Sequence, residues 1–155
     1  MRKAVLCALL LLVALLITLF SSGYAAKWNS HDTKGAPSGL VTVHLDGRPL
    51  KVTIVDTPEE KEKGLGGRAG LAQGEGMLFA FPKDDEYGFW MKDMRFAIDI
   101  IWLSAGGVVV HIEKNVSPNT YPHVFKPKEA ARYVLELPAG YTDVYTVHPG
   151  SAVQF

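Results

Sequence analysis

The sequence has a single cysteine, Cys7, among its 155 residues. Cys7 lies within an apolar N-terminal run, and no apolar segment precedes it that would make it a lipoprotein cleavage point. If this run is removed as an export signal, the mature chain has no thiol. Disulfides, thiolate catalysis and cysteine-ligated metals are then excluded together, and the core alone must stabilise the fold.

The sequence also lacks an excess of charge of one sign. It has 16 basic and 16 acidic residues, and loss of Arg2 and Lys3 with the signal leaves 14 basic against 16 acidic, a formal charge of −2. A near-neutral domain without a basic stripe is poorly suited to nucleic acid, so no nucleic-acid partner is expected.

Catalytic and metal-binding motifs are absent as well. The five histidines are scattered without paired spacing or an HExxH motif, and no serine lies in a G-x-S-x-G elbow. The glycine-rich segment GLGGRAG, residues 64–70, follows a predicted helix, whereas a dinucleotide-binding loop opens one. We expect no metal and no cofactor, and we identify no catalytic residue.

The N-terminal residues have the pattern of an export signal. Residues 1–3 form a basic start, residues 4–20 form an uncharged leucine-rich run, and Gly23 and Ala25 suit cleavage before Ala26. This predicts a signal peptide over 1–25, a polar linker over 26–39 and one domain over 40–155. The domain is expected in the periplasm or outside the cell. The alternative is an uncleaved segment that anchors it to the membrane.

The remaining residues show the patterns of a mainly β domain. Apolar alternation around an Asp-Gly pair at 46–47 predicts a hairpin, and Thr57, Pro58 and Glu60 predict the capped start of a short helix that Gly64 ends. Further strands are predicted at 77–81, 89–91, 98–103, 108–112, 133–137 and 144–147. Many short strands with glycine and proline turns favour a compact antiparallel sandwich or small barrel, with one short helix, over a parallel sheet.

Asp99 is the charged residue whose surroundings matter most for a site. It lies in the strand predicted at 98–103, which is apolar on both alternations and is expected to be covered on both faces. A buried carboxyl group needs a cation or hydrogen-bond donors, or else it has a raised pKa. Candidate cations are Lys92, Arg95, Arg68 and Arg132. The partner either fixes the sheet, as an ion pair or as backbone amides, or belongs to a ligand site.

Trp90 and Lys92 form a second candidate site. They alternate, so an extended segment would present both on one face, where they could hold a sugar or an anion. The alternative is that the lysine stem only packs over the indole. Arg68 is a third candidate, because its glycine neighbours would let a ligand approach the backbone closely.

Four ordered segments carry a family resemblance: DTPEEKEKGLGGR, GEGMLFAFP, FWMKDMRFAIDIIWL and ARYVLELPAG. They resemble domain-of-unknown-function family 192, a widespread prokaryotic family of small, often exported domains, from about residue 40 to the end. The resemblance implies a compact, mainly β sandwich or barrel with one short helix, and no activity. Its recurrent polar positions correspond here to Arg68, Glu75, Lys92, Asp99 and Glu136.

Two positions depart from the family pattern. Gly66 stands where the family usually has methionine, which loosens packing after the helix. Asp93 stands where it usually has asparagine, which adds a charge beside Lys92 and favours a local Lys-Asp pair over a shared anionic-ligand site.

We interpret the domain as a non-catalytic binding or accessory module for a small polar ligand, a glycan or a partner protein of the cell envelope. The residues expected to bind the ligand are Arg68, Glu75, Trp90, Lys92, Asp99 and Glu136. One alternative is a glycan-directed hydrolase that uses Asp93 or Asp99 with Glu75 or Glu136 as its carboxylate pair. Another is a structural or assembly domain.

Overall fold

The computed structural model describes residues 40–155. The predicted signal peptide and the predicted linker, residues 1–25 and 26–39, lie outside the described residues, and so does the expectation of export that depends on them. Within residues 40–155, no helix combines the length and the apolar character that a membrane span requires.

Across the described residues 40–155, seven strands form one sheet, and short helical segments connect some of them. The strands are β1 (Leu40–Leu45), β2 (Arg48–Val55), β3 (Glu75–Asp85), β4 (Ile98–Leu103), β5 (Val109–Val116), β6 (Ala131–Pro138) and β7 (Val153–Gln154). The helices are α1 (Pro58–Lys63), a 3₁₀ turn (Pro118–Thr120) and α2 (Tyr141–Val144). Along the sheet the order is β5-β4-β6-β3-β2-β1-β7. The predicted mainly β fold is confirmed.

The sheet curls until its two outer strands meet at one end. Val108, just before β5, pairs with Ala152, just before β7, and the Val153 amide donates to the Gly107 carbonyl at 2.8 Å. Gly107 is required at this contact, because its φ is +76° and a Cβ there would collide with the Val153 carbonyl. Of the two architectures expected from the sequence, the structure is the barrel type, a half-barrel made from one curled sheet.

The hairpin and the first helix form as their turn and capping residues predict. Asp46 and Gly47 both have positive φ, at 48° and 77°, between β1 and β2. At the start of α1, the Thr57 hydroxyl accepts from the Glu60 amide, and the Glu60 carboxylate accepts from the Thr57 amide. Gly64 ends the helix.

Three local predictions differ from the structure, and one of them is the strand at 89–91, where only Phe89 pairs, with Phe125. The chain crosses from β2 to β3 through α1, so these two strands are parallel, although the short turns had predicted antiparallel pairing. The strand predicted at 144–147 is instead the end of α2 and a turn. Val144, the last residue of α2, is 73% exposed, whereas Val147, which follows the turn, is buried.

The domain has an apolar core on each face of the sheet. All seven strands contribute to the inner core, which therefore fills the concave face, and Leu50, Ile101 and Leu135 are among its members. Strands β2 to β6 contribute to the outer core, which the segments around Leu65 and Met91 cover. Strand β4 is buried at every residue, as its two apolar faces predict.

Asp99 is fully buried in β4, and backbone amides rather than a cation satisfy it. Its Oδ1 accepts from the amides of Asn115 (2.8 Å) and Gly140 (3.2 Å). Its Oδ2 accepts from both the amide (2.8 Å) and the hydroxyl (2.7 Å) of Thr142. No salt bridge reaches it from residues 40–155. The carboxylate thus fixes the end of β5 and the start of α2 against β4, as the structural interpretation of this residue expected.

Asp99→Asn is expected to lower the free energy of unfolding by about 2–4 kcal/mol, because the new amide nitrogen would face donors that now meet a carboxylate oxygen. Urea denaturation followed by circular dichroism measures the change. Asp93→Asn is the matched control, since Asp93 is exposed and asparagine tolerates its φ of 59°. Equal stability of the two variants would show that the buried hydrogen bonds of Asp99 do not stabilise the fold.

Candidate functional site

A cleft of about 290 Å³ lies on the outer-core side of the sheet, between α1, the segment 87–94 and strands β3 and β6. We call it the Glu136 cleft, after the one charged residue of its lining that is buried. Its lining residues are Lys61, Glu62, Lys63, Gly64, Leu65, Gly66, Phe79, Phe81, Tyr87, Gly88, Phe89, Trp90, Lys92, Met94 and Glu136. Its size is close to the lower end of small-molecule pockets, which run from about 300 Å³ upward.

Packed aromatic rings form one wall of the cleft. Phe81 stacks on Tyr87 with 3.5 Å between ring centroids, and Phe79 meets Phe89 edge to face at 4.8 Å. The indole Nε1 of the buried Trp102, in β4, donates to the Tyr87 carbonyl at 2.9 Å. The sheet therefore holds the wall in place from beneath, and the wall offers a rigid apolar surface to a ligand.

Three lysines surround this wall, and one of them is already engaged. The Lys61 ammonium donates to the Asp56 carbonyl and lies 4.7 Å from the Phe81 ring centroid. Burial lowers the pKa of Lys61. Lys63 and Lys92 are exposed and form no ion pair with a residue of the described range 40–155. These two ammonium groups remain available to a ligand.

The position of Glu136 follows from strand register. β6 lies between β4 and β3, and Glu136 stands opposite Ile100 on β4 and Met77 on β3. Both neighbours are buried and apolar, and Glu136 itself is only 5% exposed. Its Oε2 is buried and finds no hydrogen-bond partner among residues 40–155. A buried polar atom without a hydrogen-bond partner is rare in a folded protein, which sets Glu136 apart from the other residues of the lining.

Burial raises the pKa of Glu136 to about 8, and the positive charge of Arg68 opposes this only in part. Desolvation disfavours the charged form of a carboxyl group. At neutral pH Glu136 therefore retains its proton, and a protonated carboxyl group can donate a hydrogen bond as well as accept one.

Trp90 and Lys92 both line the cleft. Trp90 is 46% exposed, and the Lys92 ammonium lies 5.8 Å from its ring centroid. The segment 89–91 is not a full strand, since only Phe89 pairs, with Phe125. Tyr121 extends the rim, with its ring 6.0 Å from that of Trp90.

The other three predicted site residues lie outside the Glu136 cleft. Arg68 lines a neighbouring cleft of about 540 Å³, which shares Lys63, Gly64 and Gly66 with the first. Glu75, half-buried at the start of β3, lines neither cleft. Asp99 is enclosed in its hydrogen bonds and also lines neither. The structure thus brings together Trp90, Lys92 and Glu136 and leaves Arg68 beside them.

The carboxylate pairs of the hydrolase interpretation do not meet in this cleft. Asp93, Asp99 and Glu75 are all missing from its lining. Within the part of the chain that the structure describes, no group of three or more His, Cys, Asp or Glu side chains is placed to hold a metal ion.

Sequence reasoning missed part of the lining, namely Phe81, Tyr87 and the two lysines of α1, Lys61 and Lys63. These residues come from separate segments that only the fold brings together. One signal was present: Phe79 and Phe81 alternate in β3, so they share the face of the sheet that Glu136 also occupies.

Residues 41–155 match the family model described as DUF192, uncharacterized ACR. The chain belongs to the DUF192 family. No curated protein matches it. Two solved structures are similar in fold. A Sinorhizobium meliloti 1021 protein, described as a proposed transcription regulator, has a TM-score of 0.70 and 29% identity over 76% of this chain and 96% of its own. A Novosphingobium aromaticivorans DSM 12444 protein of unknown function has a TM-score of 0.71 and 28% identity over 75% and 85%.

Glu136→Gln is expected to remove a pH dependence of stability. The unfolded chain releases this proton near pH 4.5 and the native state only near pH 8, so the wild type loses stability as pH rises between these values. The variant should therefore match the wild type near pH 4.5 and be more stable, by a few kcal/mol, near pH 8.

Urea denaturation at both pH values measures this difference, with the exposed Glu129→Gln as the matched control. If the stabilities of the wild type and of Glu136→Gln changed in parallel with pH, the native fold would not raise the pKa of Glu136.

Proposed function

We propose that this DUF192 domain is a non-catalytic binding module that holds a small polar ligand, or one unit of a glycan, in the Glu136 cleft. The observation that carries the proposal is the buried Oε2 of Glu136, which has no partner within residues 40–155 although it belongs to a residue that lines a cleft. A ligand that hydrogen-bonds to this carboxyl group would supply the missing partner.

The composition of the lining supports a binding role. Concave sites for small molecules combine apolar walls with a few convergent polar groups, as the aromatic wall and the Lys63, Lys92 and Glu136 side chains do here. The exposed rim residues Trp90 and Tyr121 would contact the part of a ligand that extends beyond the cleft. We do not propose nucleic-acid binding, because the sequence has equal numbers of basic and acidic residues and no basic stripe.

The binding function predicts a ligand-dependent rise in thermal stability. A ligand at about 100 times its Kd adds about 2.7 kcal/mol to the native state, which raises Tm by several degrees. The panel for a thermal-shift measurement contains glucose, N-acetylglucosamine, glucuronate, benzoate, benzyl alcohol and inorganic phosphate.

Trp90→Ala is expected to abolish the rise, whereas Val144→Ala, a change at an exposed apolar residue away from the cleft, should preserve it. A panel in which no compound raises Tm, or in which Trp90→Ala responds like the wild type, would overturn a binding role for this cleft.

We also propose that the domain acts outside the cytoplasm, on the basis of the signal pattern in residues 1–25. When the gene is expressed at full length, the product should appear in the periplasmic fraction or the medium. Its intact mass should match a chain whose first residue is Ala26. A product that retains Met1 and stays in the membrane fraction would instead support the anchored alternative.

A further inference from the structure

The charges around the Glu136 cleft indicate which ligands it favours. Its lining contains three lysines against one exposed acid, Glu62, so with Glu136 protonated the formal excess is two positive charges. Lys61 is engaged by the Asp56 carbonyl, which leaves Lys63 and Lys92 for a ligand. A site with this balance attracts anions and disfavours amines.

The buried carboxyl group would not oppose an anion while it carries its proton. Glu136 lies between the apolar Met77 and Ile100, and its Oε2 has no internal partner among the described residues. An ionised Glu136 would repel a ligand carboxylate, whereas a protonated one can donate a hydrogen bond to it. A ligand that suits the protonated Glu136 carboxyl group therefore carries a strong hydrogen-bond acceptor.

The aromatic wall favours a ligand that has an apolar organic part. Phe81, Tyr87 and Trp90 provide apolar surface next to the two available lysines. A ring or short chain can pack against these side chains, while inorganic phosphate cannot use them. The volume of about 290 Å³ limits the bound part to one small molecule.

We propose that the Glu136 cleft binds a small organic acid, which places its carboxylate near Lys63 and Lys92, packs its ring or chain on the aromatic wall, and accepts a hydrogen bond from the Glu136 carboxyl group. This ligand class rests on the binding function proposed above and narrows it to anions. It also makes binding dependent on pH, because loss of the Glu136 proton removes the donor and adds a repelling charge.

Several charged or titratable groups surround Glu136. α1 contributes Lys61, Glu62 and Lys63, the following loop contributes Arg68, and the segment 87–94 contributes Tyr87 and Lys92. The flanking strands present Met77 and Ile100, which do not titrate. Burial lowers the pKa of Lys61 and raises that of Tyr87, so Lys61 is the group whose deprotonation could mimic the expected effect.

The first experiment compares matched ligands by calorimetric titration at about pH 6.5. Glucuronate should bind more tightly than glucose, and benzoate more tightly than benzyl alcohol, by at least about tenfold in one of the two pairs. Lys92→Gln should weaken the acid, whereas Lys128→Gln, an exposed lysine outside the cleft, should leave its affinity unchanged.

The second experiment follows the better acid from about pH 6.5 to about pH 9.5. Wild-type affinity should fall by more than about tenfold, since each pH unit above the titration of Glu136 can cost up to a factor of ten. Glu136→Gln keeps a donor that does not titrate, so its affinity should stay level. If Lys61 caused the fall, the variant would show it too. Titrations of the wild type in two buffers of different ionisation enthalpy should also show proton uptake on binding near pH 8.5.

The outcomes separate the two proposals. If glucose or benzyl alcohol binds in a Trp90-dependent way and neither acid does, the anion assignment is overturned and the binding function stands. Acid binding without pH dependence or proton uptake overturns the role of Glu136 as donor. If neither acid nor neutral compound binds, the anion assignment is overturned, and the wider thermal-shift panel decides the binding function.

Discussion

The hydrogen bonds of the buried Asp99 carboxylate are the interaction on which the packing of this domain's segments depends. Its two oxygens accept from the amides of Asn115, Gly140 and Thr142, which belong to segments far apart in the sequence. These bonds tie the end of β5 and the start of α2, with the loop before it, to β4. Gly140 follows the end of β6 by two residues, so the bond to its amide also holds that end of β6 beside β4, where Glu136 pairs with Ile100.

The two buried acids of the domain show how surroundings decide what a carboxyl group does. Asp99 is enclosed by donors and stabilises the fold as an acceptor. Glu136 has apolar neighbours, and the effect of its burial outweighs the positive charge of Arg68, so its surroundings favour the protonated form. The sheet separates these roles, because Asp99 lies on the inner-core alternation of β4 and Glu136 on the outer-core side of β6. The two buried acids therefore lie on opposite faces of one sheet, and only Glu136 lies on the face that carries the cleft.

Local patterns predicted the elements of the fold, and contacts between distant segments decided the site. The capping box at Thr57, the Asp46-Gly47 turn and the doubly apolar strand β4 were all predictable, because each depends on neighbouring residues. The parallel pairing of β2 with β3 was not, since it depends on how the chain crosses through α1. The same holds for the cleft. The proximity of Trp90 and Lys92 could be inferred from the sequence, but that both lie in one cleft with Glu136 depends on the order of the strands.

The meeting of the two outer strands near Gly107 has a consequence for the behaviour of the protein at high concentration. A sheet with free edges can add strands from other molecules and aggregate. Here the start of β5 is occupied by the residues before β7. The part of β5 that continues past this contact carries His111, Glu113 and Lys114, and such side chains discourage the addition of another strand. The half-barrel thus protects its β5 edge by contact at one end and by charged side chains along the rest.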